Sequence, residues 1–132
     1  MVNKVSLLIP TRNRSHSLRD LLQSLERADL LEAVKIEIIV INNGSTDETS
    51  RMLKYEISQP RRFPLIVVQE KRPGKSRALN RALTEARGDL LMILDDDVTV
   101  DENCIAKHVE AHQQTDFAAI QGRVLPGKDP EG

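Results

Sequence analysis

The chain has 132 residues, 39% hydrophobic and 30% charged, the balance of one soluble globular domain that buries a core without a disulfide or metal staple. Nineteen basic residues against twenty acidic ones leave a net charge of −1, which argues against bulk attraction to nucleic acid or an anionic membrane. The single cysteine, Cys104, excludes an intrachain disulfide and a cysteine-built zinc site.

Short apolar runs alternate with amphipathic segments. Val5–Ile9 reads as a strand. Leu18, Leu21, Leu22 and Leu25 then fall at i, i+3, i+4 and i+7, one apolar stripe of a helix. Ile36–Ile41 is apolar except at Glu37, which suits a strand covered on both faces. Asn42-Asn43-Gly44 is a turn signal, and Ser45 with Glu48 predicts a capping box opening a helix to about Tyr55. Leu65–Val68 is a third strand. Ala78, Leu79, Ala82, Leu83 and Ala86 mark a helical face, with Gly88 as its expected C-terminal stop. Leu90–Leu94 is a fourth strand that runs directly into Asp95-Asp96-Asp97. A helix from about Glu102 to Gln113 and a last strand near Phe117–Leu125 complete the pattern.

Alternating strands and helices predict an α/β fold, with right-handed crossovers and helices on both faces of a mostly parallel sheet. Residues 1–125 are expected to form the domain. The tail 126–132 has neither periodicity nor a cap and looks like a cut in a linker. No apolar run approaches the roughly 18 residues of a membrane span. The first residues lead straight into a strand-like run, not a signal peptide, so a cytoplasmic setting is expected.

In open parallel sheets, ligands bind beyond the carboxyl ends of the strands. Three loops qualify: Pro10–Arg14, Asn42–Asp47 and Asp95–Val98. From Ile57 to Gly88 there are eight basic residues and two acidic, and from Asp89 to Glu102 six acidic and none basic. Arg61, Arg62, Arg81 and Arg87 are expected on solvated surfaces. Lys75 and Arg77 differ, because they stand at a helix start that already favours anions. Three adjacent carboxylates repel one another, and a divalent cation relieves that repulsion. Hard oxygen ligands favour magnesium or manganese, which keep waters and bridge to substrate phosphates.

Taken together, Ile9-Pro10-Thr11-Arg12-Asn13-Arg14, Ile39-Val40-Ile41-Asn42-Asn43-Gly44-Ser45-Thr46-Asp47, Gly74-Lys75-Ser76-Arg77-Ala78-Leu79-Asn80, Gly88-Asp89 and Leu94-Asp95-Asp96-Asp97 resemble the donor-binding half of family 2 glycosyltransferases. The resemblance runs from about Lys4 to about Leu125. It implies a GT-A, Rossmann-like three-layer fold, a nucleotide-diphospho-sugar donor and a bound Mg or Mn ion. By position, Asp97 would bind the metal, and Asp95 or Asp96 would contact the ribose, with Asp95 helping to hold the metal. Pro10, Thr11 and Arg14 would wrap the nucleotide. Asn42 and Asn43 would read the base, and Lys75 and Arg77 would contact base or phosphates. The family's usual course is one inverting displacement assisted by a general base. That base lies in a later segment, expected beyond Gly132, so the chain is expected to be the donor-binding half of a longer, truncated enzyme. The base-reading loop commonly has Asp where Asn42 stands, which leaves uridine, thymidine and guanosine donors open. The acceptor (glycan, lipid or protein) is not indicated, and membrane association is expected only through a missing part.

Other patterns compete less well. Asp95-Asp96-Asp97-Val98-Thr99 fits the aspartate-nucleophile motif of haloacid-dehalogenase-like phosphatases, with Asp95 attacking phosphorus, but that motif normally follows a first strand. A sugar-nucleotide-binding module without turnover is a further alternative, which the intact acidic triplet disfavours. Gly74-Lys75-Ser76 lacks the earlier glycine of a phosphate-binding loop, because position 69 is Gln. A calcium loop fails at Val100 and Ala106. His108 and His112 share a helix face with Ile105 and Val109 and read as packing residues. Cys104 reads as a small packing residue, His16 as surface, and the Asn13 and Asn43 sequons as coincidences.

Overall fold

The computed structural model describes residues 2–29, 34–113 and 122–123, with residues 112–113 and 122–123 described as backbone. The elements in chain order are β1 (Lys4–Thr11), α1 (Ser15–Leu25), β2 (Lys35–Asn42), α2 (Thr49–Ile57), β3 (Leu65–Gln69), α3 (Lys75–Glu85), β4 (Leu90–Ile93), α4 (Cys104–Gln113) and β5 (Gly122–Arg123). They form one sheet of order β3-β2-β1-β4-β5, and each pairing in it is parallel. The expected tail lies outside the described residues, as does most of the predicted last strand. Among the described residues no helix is long and apolar enough to cross a membrane.

Strand alternation divides the core into two layers. Val5, Leu7 and Ile9 of β1, Ile36, Ile38 and Val40 of β2, and Leu90 and Met92 of β4 share one cluster. Leu18, Leu21, Leu22 and Leu25 of α1, Met52 and Leu53 of α2, and Ile105 and Val109 of α4 complete it. On the other face Leu8, Ile39, Ile41 and Val68 meet Ala78 and Ala82 of α3. Two alanines on the buried stripe let α3 lie close to the strands. Burying each large aliphatic side chain contributes about 2 kcal/mol. Coverage on both faces explains why β1 and β2 read as nearly continuous apolar runs.

Three local expectations are corrected. The Ser45–Glu48 capping box does not form: α2 starts at Thr49, with Glu48 at its N-cap and no side-chain cap bond. Ser45 Oγ instead accepts the Asn13 N–H at 3.0 Å, and Asp47 Oδ1 accepts the Thr49 N–H at 2.8 Å. Tertiary contact with the first loop has taken the hydroxyl that a cap would use. Gly88 does not stop α3, which ends at Glu85 with Ala86 already extended. A Cβ on Gly88 would stand 2.6 Å from Ser6 N and 2.9 Å from Lys4 O, so glycine is needed there for close approach to β1. Leu83 does not join the buried face of α3 and is 50% exposed, because Ala78 and Ala82 alone face the sheet.

Arg61 also departs from the solvated role. Its side chain is 9% exposed and spans Glu26 at 3.4 Å and Glu56 at 2.6 Å, which ties the ends of α1 and α2. Cys104 packs against the larger core cluster, and burial, with Asp101 nearby, raises its thiol pKa. The packing role therefore holds over a reactive one.

The register at the foot of the sheet sets the site at its head. Glu37 is a 3% exposed carboxylate on the α3 face of β2. It accepts from Ser6 Oγ at 2.6 Å and Arg87 N at 2.8 Å, and pairs with Lys4 Nζ at 3.4 Å. Gly88 N donates to Ser6 Oγ at 2.8 Å. Asp89 accepts the backbone N–H groups of Asn3 and Lys4. These contacts lock β4 onto β1. The pairing continues to Leu94 N, which donates to Leu8 O at 2.9 Å, and the acidic triplet follows at once.

Candidate functional site

The strand order reverses beside β1. The chain leaves β1 over one face through α1 toward β2, and returns to its other side through α3, on the opposite face, to β4. Loops diverging at such a point leave a crevice at the carboxyl ends of the strands. A cavity of about 330 Å³ occupies it, within the size range of small-ligand sites. The end of β1 supplies Pro10 and Thr11, and the loop after it supplies Arg12 and Arg14. Asn43 comes from the loop after β2, Gly74 and Lys75 from the start of α3, and Asp95 and Asp96 from the loop after β4.

Each wall has a local cause. Thr11 O accepts the Asn43 N–H at 2.8 Å, extending the β1–β2 pairing one step past the strands. Asn43 is buried, and its Nδ2 donates to Glu70 O and Arg72 O, both at 2.8 Å. Its two amide hydrogens are therefore spent on the backbone before α3, which leaves Oδ1 as the remaining polar atom of the side chain. Arg72 grips Glu70 through Nε, Nη2 and its own backbone N–H, and these bonds hold the Glu70 carboxyl down to about 2. Gly74 has φ +119, a conformation that favours glycine, and it turns the chain into α3.

Charge is concentrated here. Arg12, Arg14 and Lys75 face the cavity beside Asp95 and Asp96. The first residues of α1 and α3 follow directly on Arg14 and Gly74, so two helix N-termini border it, and both favour an anion. Lys75 Nζ pairs with Asp95 Oδ1 at 3.1 Å in an exposed ion pair. Thr11 Oγ1 donates to Asp96 Oδ2 at 2.9 Å. Burial raises the Asp96 carboxyl above its ordinary range. Thr11 and Arg14 oppose that shift, and the Asp97 charge adds to it.

Most of the anticipated site residues converge: Pro10, Thr11, Arg14, Asn43, Lys75, Asp95 and Asp96 all line the cavity. Asn42, Arg77 and Asp97 do not. Asn42 is 1% exposed. Its Nδ2 donates to Ser50 Oγ at 2.8 Å, and its Oδ1 accepts the Ser45 N–H at 3.3 Å. It braces the loop from within, and of the pair only Asn43 lines the cavity. Arg77, on α3, and Asp97, in the loop after β4, are both exposed. Arg12 and Gly74 are lining residues that sequence reasoning passed over. Arg12 sits between Thr11 and Arg14, and Gly74 directly precedes a helix-initial lysine, so position alone could have flagged both.

The donor set bears on a metal. Among the described residues no three His, Cys, Asp or Glu side chains meet to form a closed cage. A hard dication held by one or two carboxylates and completed by substrate oxygens and water needs no such cage. Asp95 and the half-buried Asp96 line the cavity side by side and offer hard oxygen donors of that kind. The residues therefore fit Mg or Mn bound together with a phosphorylated ligand.

Comparison with known proteins agrees with this geometry. The family model described as "Glycosyl transferase family 2" matches residues 6–132. An uncharacterized glycosyltransferase, YfnE, of Bacillus subtilis is 36% identical over 121 residues, covering 90% of this chain and 29% of that protein. The mannosyltransferase PcManGT of Pyrobaculum calidifontis, solved with GDP-Man and Mn2+, superposes with a TM-score of 0.74 at 26% identity, over 83% of this chain and 32% of that one. Staphylococcus aureus TarS 1-349, solved with UDP-GlcNAc, gives a TM-score of 0.70 at 26% identity, over 84% and 31%. The fold is that of the GT-A glycosyltransferases, and the chain spans about a third of the length of these relatives.

Proposed function

We infer that this chain, which belongs to glycosyl transferase family 2, holds the nucleoside diphosphate of a sugar donor in the crevice between β1 and β4. The supporting observation is the convergence of Arg12, Arg14 and Lys75 with Asp95 and Asp96 at the strand-order reversal, between two helix N-termini. Membership of a transferase family disfavours the phosphatase reading of Asp95 and the turnover-free module alike. The relatives' ligands, GDP-Man with Mn2+ and UDP-GlcNAc, are the class of compound proposed here.

Asn43 Oδ1 accepts from a donor edge of the base, such as an imide N–H. Pro10 and Thr11 form the wall along the nucleoside. Arg12, Arg14 and Lys75 face the diphosphate and neutralise the charge it gains as the sugar leaves. Asp97 and Asp95 would hold Mg or Mn, which when bound supplies further charge neutralisation at the departing diphosphate. In the transfer, the acceptor hydroxyl oxygen bonds to the anomeric carbon as the carbon–phosphate oxygen bond breaks. The hydroxyl proton passes to a general base on the acceptor side, and the configuration inverts.

Calorimetric titration with UDP and GDP, with and without Mn2+, tests this. One of them is expected to bind at least about tenfold more tightly with the metal, a difference of about 1.4 kcal/mol. Asp97→Ala is expected to remove that difference. Equal binding with and without Mn2+ would overturn the role of Asp97, and no binding of UDP, GDP or, titrated alongside them, TDP would overturn the whole reading.

Lys75 gives a second test. Its ion pair is exposed, so Lys75→Ala is expected to leave the unfolding midpoint almost unchanged. Diphosphate affinity is expected to fall about tenfold and nucleoside affinity much less, since a phosphate contact is lost. An equal loss for both ligands would count against Lys75 as a diphosphate contact.

A further inference from the structure

Two walls of the crevice are separate loops, and one side chain joins them away from the ligand cavity. Asn13 stands between Arg12 and Arg14, both of which line the cavity, yet does not line it. Its φ is +53, a left-handed conformation that Asn tolerates better than most residues. Its backbone N–H donates to Ser45 Oγ at 3.0 Å. Its Oδ1 accepts the backbone N–H groups of Thr46 at 2.7 Å and Asp47 at 3.2 Å. At the base of the same loop, Asn43 N reaches Thr11 O and Asn42 reaches Ser50. Asn13 is thus the outer tie of a loop whose inner end is already anchored and whose Gly44, at φ +72, turns the chain between them.

We propose that Asn13 is a positioning residue: it clamps the loop Gly44–Asp47 to the loop Pro10–Arg14 and so holds Asn43 and the two arginines at the spacing a nucleotide requires. This rests on the reading that the crevice takes a nucleoside diphosphate. The bonds lie in exposed surroundings, so water satisfies the freed N–H groups when the clamp is removed, and stability changes little. What is lost is pre-organisation, which appears as weaker binding.

Three variants separate the contributions. Asn13→Ala removes the acceptor, Asn13→Gly removes it while easing the left-handed backbone, and Asn13→Asp keeps it. With UDP and GDP in the presence of Mn2+, the Ala and Gly variants are expected to bind the preferred nucleotide about tenfold more weakly, and the Asp variant within about threefold of the unaltered chain. Hydrogen exchange at the Thr46 and Asp47 amides is expected to quicken in the first two and to be restored in the third, with melting temperatures close throughout. Rescue by Asp is the readout a merely structural role would not produce. Should Asn13→Ala fail to fold, Ser45→Ala opens the clamp from the other loop, with an expected loss of about threefold. Unaltered binding by the Ala and Gly variants, with Thr46 and Asp47 exchanging freely, would overturn this proposal alone. No nucleotide binding by the unaltered chain would overturn the underlying reading with it.

Discussion

Gly88→Ala is expected to lower the stability of the chain by about 3 kcal/mol, at the upper end of overpacking costs. The added Cβ meets backbone atoms of β1, Ser6 N at 2.6 Å and Lys4 O at 2.9 Å, which cannot swing aside as a side chain would. Relief requires separating the start of β4 from β1. That would break the Gly88–Ser6 bond and the backbone bond from Asp89 N to Lys4 O. It would also disturb Asp95 and Asp96, because their position depends on β4 continuing in register to Leu94. Urea unfolding is expected to show the loss as a lower midpoint, and donor titration as weaker binding, although Gly88 lies at the opposite end of the sheet from the cavity. An unchanged midpoint would show that β4 and β1 part without cost, and would remove this account of the Gly88–Asp89 motif.

Glu37→Ala is expected to cost about 2–3 kcal/mol, by leaving the buried Ser6 hydroxyl and the Arg87 N–H short of their acceptor. Glu37→Gln keeps one carbonyl oxygen and is expected to cost roughly half as much. The acid dependence of stability gives a more specific signature. Burial raises the Glu37 carboxyl, but the bonds from Ser6 and Arg87 together with the Lys4 charge outweigh it, so the pKa lies below its ordinary 4.5. A carboxylate depressed on folding contributes stability that is complete above its unfolded value and is lost as pH falls through its folded value. Unfolding measured from pH 7 downward is therefore expected to show a loss beginning near 4.5, and Glu37→Gln is expected to remove that part of it. An identical acid limb in the Gln variant would refute the assignment.

Both predictions concern contacts that no periodicity reveals. Glu37 interrupts an apolar strand, and its partners Ser6 and Arg87 lie 31 and 50 residues away in the sequence. Gly88 follows a helix and resembles its stop, because helix-ending and close-packing glycines leave the same local trace. Ser45 and Glu48 satisfy the spacing of a capping box, yet Asn13 claims the Ser45 hydroxyl from 32 residues upstream. Asn42 and Asn43 are adjacent and chemically identical. Strand alternation turns one inward to Ser50 and the other toward the cavity, and the direction depends on where β2 ends.

The sequence by itself determined the strand and helix order, the two-faced burial of β1 and β2, and the three polar loops that follow strands. These follow from local hydrophobic period and turn chemistry, which neighbouring residues carry together. Only the tertiary structure decided the sheet order β3-β2-β1-β4-β5, and with it that the first loop, the start of α3 and the Asp95–Asp96 pair enclose one cavity. It also decided which of Asn42 and Asn43 faces that cavity, and that Asn13 ties its loops. Each is a contact between segments far apart in the chain, set by how helices cross the sheet and by which groups reach one another once the core has packed.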